Sequence, residues 1–586
     1  MDQKRLFLAI AISVAIMIGF QFLMPPPPAK IVPVVPQLAG TVTSSDPAAP
    51  PGAAPGGAPA GVPGVGVAAP AAPREVPRVS FSAPRVQGSV SLVGARLDDL
   101  VLRDYRETIT PGAPLVHLLA PRGAKEPTFV QFGWTPAEGS GVVVPDDDTL
   151  WTAAGSLVPG QGLTLSWDNQ AGLVFELVYS VDADYMFTVG QRVRNVGAKP
   201  ALLYPWSRVR RDFTPQTAGY YVLHEGMLGV LDGKLHDDDL TYAKVKEKGE
   251  KAAGVALALK GVSGWAGITD KYWLTAVVPD KATRQDLAFR YVAGGTGGYQ
   301  VDFLAVDGQA LAPGAGVATT TRLFAGAKEV HLLDRYERED GIVNFDKAVD
   351  FGWFYFLTKP FFYAIDWIYG KIGNFGVAIL MFTTIVKLLF FPLANKSYRS
   401  MAKMKDLGPK MTALREQYKD NQGELQKKMM ELYRVEKVNP AAGCLPIVIQ
   451  IPVFFSLYKV IFVTIEMRHA PFFGWIRDLS SVDPTNVFNL FGLIPFDPTV
   501  LPVFGPWLHL GVWPVLMGFT MYFQQKLNPP PPDPVQAKMF QFMPIIFTFM
   551  MGNFPAGLVI YWSWNNLLTI AQQSFIMNQA RKKKAA

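Results

Sequence analysis

Hydrophobic positions fall into three textures along this chain. Leu6 to Met24 is a run of 19 residues interrupted only by Ser13, Gly19 and Gln21, long enough to cross a bilayer. Pro25 to Arg78 has no apolar periodicity. Pro, Gly and Ala fill most of it, so it buries no core and reads as an extended linker. From Val79 to Asp340 short alternating runs recur, as in Leu163–Trp167, Leu173–Tyr179 and Met186–Asn195, separated by turns such as Asp232-Gly233 and Gly294-Gly295. That period predicts strands, and their number predicts one large antiparallel sandwich. Five apolar segments follow: about Phe375–Leu393, Cys444–Ile465, Leu508–Gln525, Lys538–Phe554 and Pro555–Ile576.

The flanks set the orientation. Lys4 and Arg5 precede the first run, which ends in Gln21-Phe22-Leu23-Met24 and four prolines, a poor cleavage site. An uncleaved anchor with a cytoplasmic N-terminus is expected over a removed signal. Residues 341–372 are dense in aromatics and punctuated by Asp350, Lys359 and Asp366. They read as an amphipathic helix in the membrane interface, bent at Pro360, rather than as a seventh span. The loop from Asn395 to Asn439 carries eleven Lys and Arg, and the tail ends Arg581-Lys582-Lys583-Lys584. Both belong in the cytoplasm by the positive-inside rule. Six spans then place the linker and the sandwich on the far side.

Composition narrows the chemistry. Charged residues are 18% and hydrophobic ones 49%, unlike an ordinary soluble enzyme. One Cys excludes a disulfide framework and a Cys-based metal cluster. The six His form no metal-binding pattern, and His117, His224, His236 and His331 read as structural. Met401, Met404, Leu407, Met411, Leu414 and Tyr418, then Leu425, Met429, Leu432 and Val435 after a turn at Asp420–Gly423, recur at helical spacing. They predict a basic helical hairpin over 395–439 with a Met-rich seam, either internal packing or an adaptable binding surface.

Lys387 is the residue that asks for a function. A Lys inside an apolar span costs about 2.5–3.5 kcal/mol on insertion scales. It lies about 10 Å from the end of its helix at 1.5 Å per residue, so snorkelling stays open. Lys459 in the third span is expected to snorkel outward. Thr383 shares a face with Lys387, Gln450 lies in the third span, Gln524 and Gln525 end the fourth, and Asn565, Asn566, Thr569, Gln572 and Gln573 line the last. Polar groups at membrane depth must meet one another or water, which implies a shared wet pocket toward the cytoplasm.

Particular stretches then carry a resemblance. Val349-Asp-Phe-Gly-Trp353, Gly373-Asn-Phe-Gly376, Phe391-Pro-Leu393, Met401-Ala-Lys-Met404, Glu436-Lys-Val-Asn-Pro440, Gly443-Cys-Leu-Pro446, Gln450-Ile-Pro452, Glu466-Met-Arg-His-Ala-Pro471, Phe542-Met-Pro544 and Phe554-Pro-Ala-Gly-Leu558 resemble the YidC/Oxa/Alb family of membrane protein insertases. Gly264-Trp265 and Tyr272-Trp273 match less sharply in the outer domain. The resemblance implies an α-helical polytopic membrane protein of six transmembrane helices, five forming the core, plus an all-β periplasmic supersandwich of the kind seen in Gram-negative members. Its layout is an anchor (1–24), linker (25–78), sandwich (79–340), interfacial helix (341–372), helical core (373–580) and basic tail (581–586).

The resemblance further implies a cytoplasm-open hydrophilic groove with its basic residue at Lys387, lined by Thr383, Gln450, Tyr561 and Trp562; the last-span Asn565 joins this set from its position alone. Pro452, Phe454, Phe455, Met539 and Phe542 on the third and fifth spans are expected to form a greasy slide. The implied function is insertion and chaperoning of new inner-membrane proteins, alone or with the Sec translocon. Implied partners are nascent chains, the ribosome and membrane lipids; no enzyme activity, cofactor or metal is expected. A solute transporter and an envelope sugar-processing enzyme are the other classes considered. The Pro- and Phe-rich segment Asn486 to Trp507 departs from the family pattern and has no assigned role.

Overall fold

The computed structural model describes Gly61 and residues 76–217, 223–294, 297–418, 421–436, 445–500, 505–528 and 534–585. The expected anchor, nearly all of the linker, and the stretch 437–444 lie outside the described residues.

The outer part is a sandwich of a ten-stranded and a nine-stranded sheet, with antiparallel pairing in both among the described residues. Alternation works as expected in strand Leu173–Val181, where Leu173, Phe175, Leu177, Tyr179 and Val181 are all buried and the residues between them half-buried. The strand Ala201–Arg211, between Thr128–Pro136 and Gly298–Ala305, behaves differently. Its arginines are buried as well, because each meets a partner. Arg208 donates to Asp302 at 2.8 Å, and Arg211 grips Asp270 with two bonds of 2.7 and 2.8 Å. Burial of charge is tolerable only with such pairing.

Two helices interrupt the expected all-strand region. Helix α1 (Tyr242–Lys251) is a charged helix that buries Tyr242 and Val245. Helix α2 (Val330–Asp340) buries Leu332, Leu333 and Tyr336 and ends at the left-handed Gly341. Their apolar positions are few and fall at helical rather than alternating spacing, a short signal inside a strand-rich stretch.

Helix α3 (Tyr355–Ile372) follows and continues through Pro360. Trp353, Phe356 and Trp367 stay exposed along this stretch. Then come α4 (Phe375–Leu389), α5 (Phe391–Asp406), α6 (Gly408–Gln417), α7 (Gln422–Val435), α8 (Leu445–Val463), α9 (Val512–Leu527), α10 (Pro534–Met551) and α11 (Ala556–Ala585). Among the described residues no single helix is both long and apolar enough to pass a membrane-span test, but α4 and the start of α5 pass together, bent by 66°. Val448–Val463 of α8 and Ala537–Met551 of α10 are shorter apolar stretches. The hairpin is therefore three helices: α5 leaves the core, and α6 and α7 pair through Tyr433 on the Met411 sulfur and Lys410 on Glu436 at 2.6 Å.

The outer end of the core is bolted to the sandwich. Tyr369 stacks on Phe375 at 3.6 Å, which fixes the start of α4 on that side. Lys459 of α8 does turn outward, but it ends on Asp350 at 2.8 Å rather than among headgroups. Lys359 of α3 pairs with Asp334 of α2 and with Asp346, in a cluster that includes Glu337. His331 meets Asp366 at 2.9 Å, and Arg468 donates to the carbonyls of Arg106 and Glu107.

Glu466 sits at the centre of this junction. It accepts the Val330 N–H at 2.9 Å, at the start of α2, while its second oxygen is buried without a hydrogen-bond partner. Part of the residue keeps some exposure, but the carboxyl itself does not. Burial pushes this carboxyl up to about 8; Glu329 and Asp366 add to the rise, and backbone N–H groups oppose it. An unfolded Glu titrates near 4.3, so between these values the folded state holds a proton that the unfolded chain has lost. Stability therefore falls as pH rises through that window. The full chain in detergent should melt at a lower temperature near pH 9 than near pH 5, and Glu466→Gln, which still accepts from Val330, should reduce that slope. Equal slopes in both proteins would show that another group titrates.

Candidate functional site

Helix α11 is the axis of the core. It starts on the sandwich side, where the Ala556 and Gly557 N–H groups bond the Ser481 and Leu479 carbonyls, and it runs toward the hairpin side. Helices α4, α5, α8 and α9 all pack on it. Its polar residues are consequently shared among several neighbours.

The face toward α4 holds the basic residue. Lys387 lies about 18 Å along α4 from Phe375 at 1.5 Å per residue. It is half-buried, and its Nζ donates to Thr569 Oγ1 at 2.9 Å. Thr569 in turn donates to the Asn565 main-chain carbonyl at 2.7 Å. The Asn565 side-chain oxygen is buried with no hydrogen-bond partner. Among the described residues Lys387 forms no salt bridge. The site thus presents one ammonium group, with donors in excess, and one unused amide acceptor. Thr383 is buried one turn before Lys387, and its hydroxyl donates back to the Ile379 carbonyl at 2.7 Å, so its proton is committed to its own helix.

The face toward α8 holds a second group. Gln450 donates to the Tyr561 hydroxyl at 2.8 Å. Phe454 packs between Tyr561 at 6.4 Å and Trp562 at 4.7 Å, and Trp562 also meets Phe547 of α10 at 5.6 Å. Tyr561 is buried. Toward α9, Asn566 donates to Thr520 and Gln573 to Asn528, each at 3.1 Å. The polar residues therefore spread around α11 instead of converging on one point.

The slide residues divide in the same way. Phe455, Met539 and Phe542 are exposed, whereas Phe454 turns in to the aromatic stack and Pro452 is half-buried. Sequence reasoning missed Trp564, whose indole N–H donates to the Leu380 carbonyl and to Thr384 Oγ1, each at 3.2 Å. The available signal was a Trp beside Asn565 in a span, since a buried indole N–H needs an acceptor.

An outer all-β domain bolted to a helical core with a buried polar seam defines a polytopic membrane protein with an extramembrane domain. A family model described as "60Kd inner membrane protein" matches residues 367–584, and one described as "YidC periplasmic domain" matches residues 78–364. A protein of Granulibacter bethesdensis named "Membrane protein insertase YidC" is 57% identical, covering 99% of this chain and 98% of that protein. One of the same name from Acidiphilium cryptum is 52% identical over 98% and 97%. A solved structure titled "Active YidC insertase crystal structure with the first transmembrane domain resolved" is 16% identical with a TM-score of 0.35, covering 85% of this chain and 92% of that one. The chain belongs to the YidC family of membrane protein insertases, multi-pass inner-membrane proteins with a periplasmic domain in this branch.

Removing the Tyr561 hydroxyl tests the α8–α11 contact. Tyr561→Phe leaves the buried end of Gln450 short of an acceptor and should cost about 1 kcal/mol of core stability. Asn565→Ala, which removes an oxygen that bonds to nothing, should cost less. Unfolding of the purified protein in mixed micelles by denaturing detergent measures both.

Proposed function

We propose that this chain inserts and folds newly made inner-membrane proteins, with Lys387 as the charge that starts the process. The observation that carries this reading is an ammonium group in the membrane core, held by Thr569 and free of any carboxylate among the described residues. A cation without a permanent counter-ion attracts a passing anion most strongly where the dielectric is low. An acidic or polar outer segment of a client is drawn partway across, which lowers the cost of its transfer.

The groove comprises Lys387, Thr383, Gln450, Asn565, Tyr561 and Trp562. The client's apolar segment leaves along Pro452, Phe454, Phe455, Met539 and Phe542, and its burial in lipid completes the step. The N-terminus, hairpin and basic tail face the cytoplasm, where the hairpin receives nascent chains and the tail meets ribosomal RNA by charge. Cooperation with the Sec translocon belongs to the same reading, since both act on hydrophobic segments entering the bilayer.

Charge, rather than lysine itself, should matter. Lys387→Arg should support growth in a depleted strain, and Lys387→Glu should fail while still reaching the membrane. Normal insertion of single-span clients with acidic outer tails by Lys387→Ala would refute the attraction step. The hairpin has its own test. Met404, Met411 and Met429 replaced by Leu should be mild, since apolar area is kept. The same positions replaced by Gln should reduce hairpin crosslinks to nascent chains, and unchanged crosslinking would make the seam internal packing.

A further inference from the structure

The segment that the family pattern left without a role lies between α8 and α9. Its neck is rigid. Asp483 accepts from Trp475 Nε1 at 3.1 Å and from the Trp513 N–H at 2.9 Å. Thr485 accepts from the Val512 N–H at 3.0 Å, and the Asn486 side chain bridges the Phe488 N–H and the Leu508 carbonyl. The Val487 N–H bonds the Leu510 carbonyl. These bonds fix the loop to the outer end of α9. His509 bonds the Gly552 carbonyl at 3.0 Å, next to the outer end of α10. The same end of the core carries the contacts of Lys459 and Glu466 to the sandwich, so the loop projects on the sandwich side.

Beyond that neck the polarity is inverted. Phe488, Leu490, Phe491, Leu493, Ile494, Phe496 and Val500 are each 43–82% exposed. The only charge from Val487 to Val500 is the exposed Asp497, whose Oδ1 accepts the N–H and hydroxyl of Thr499. Leu490 and Phe491 both adopt left-handed backbone, at φ 49° and 61°. Bulky residues seldom accept that conformation, and here it accompanies outward placement of their side chains. A soluble surface seldom carries so contiguous an apolar patch.

The patch also has a neighbour of known character. On α9, Leu516, Phe519 and Phe523 are exposed at helical spacing, and they form part of the apolar surface that an inner-membrane protein turns to lipid. The neck bonds place the loop directly before the first turn of this helix. We propose that Val487–Val500 is a lipid-embedded loop, inserted from the periplasmic side into the outer leaflet of the bilayer as a wedge beside α9. Its occupant is the headgroup–acyl boundary, where amphipathic segments sink by burying apolar side chains. It extends the membrane footprint of the core beyond its spanning helices.

Full-length protein in phospholipid vesicles tests this, with Cys444→Ser and one new Cys carrying an environment-sensitive fluorophore. Leu493→Cys is the test position and Ser140→Cys, exposed on the sandwich, is the aqueous control. The expected result at 493 is blue-shifted emission, quenching by lipids with a nitroxide near the top of the acyl chain, and several-fold weaker quenching by aqueous iodide than at 140. Leu490→Asn with Phe491→Asn suits the left-handed backbone, so the loop should keep its fold while lipid quenching at 493 drops several-fold. Iodide quenching at 493 equal to that at 140 would overturn the proposal. So would protection from both quenchers, which would place a protein surface, a second copy or a client, on the loop.

Discussion

A charged or polar group at membrane depth has to be partnered, because hydrocarbon offers it nothing. That constraint organises the core. Helix α11 brings amides, hydroxyls and indoles into the bundle, and α4, α8 and α9 each answer part of that demand. Packing follows from bonding: Thr384 and the Leu380 carbonyl hold Trp564, which keeps α4 against α11 at the level where Lys387 meets Thr569. The exceptions stand out against this satisfied background. The Asn565 side-chain oxygen has no partner and Lys387 has no carboxylate among the described residues. The two lie on neighbouring turns of the same contact, through Thr569.

The same rule is obeyed in a different way at the outer end. There, charges are numerous and paired across elements that are far apart in sequence. Asp350 to Lys459, Asp334 to Lys359 and Asp366 to His331 join the sandwich and its closing helices to the core and to α3. The Asp350–Lys459 and Asp334–Lys359 pairs are largely shielded from solvent, and several such pairs spread across one joint fix an orientation. Glu466 differs from them because its carboxyl is buried at the start of α2 with one oxygen unused. The hairpin end of the core has no comparable set of ties to a second domain among the described residues. One end of the core is therefore fixed to a large rigid body, while the other carries only the short helices α6 and α7.

Much of this was written in the sequence. The alternating runs specified strands, since one buried face per strand needs a period of two, and Leu173–Val181 follows it residue by residue. The aromatic belt around α3 and the Met seam at helical spacing were equally legible. Lys387 stood out because a cation inside an apolar run is costly, although snorkelling remained open until the structure showed its ammonium on Thr569. The two helices in the sandwich were missed, since segments of 10 and 11 residues rich in charge give a weak local signal and depend on the sheets to bury Val245 or Leu333.

Sequence alone determined the order of the parts, their polarity and the residue types available for a groove, because those follow from local periodicity and composition. Only tertiary structure decided which polar residues meet. Thr383 and Lys387 share a helix face, yet one hydroxyl turns back on its own helix while the ammonium crosses to Thr569, more than 180 residues further on. Lys459 looked like a snorkelling lysine until folding brought Asp350 to it. The segment Asn486 to Trp507 had no assigned role until its neck was seen bonded to the end of α9. Long-range partners are set by how helices and sheets pack, and neither spacing nor hydropathy encodes them.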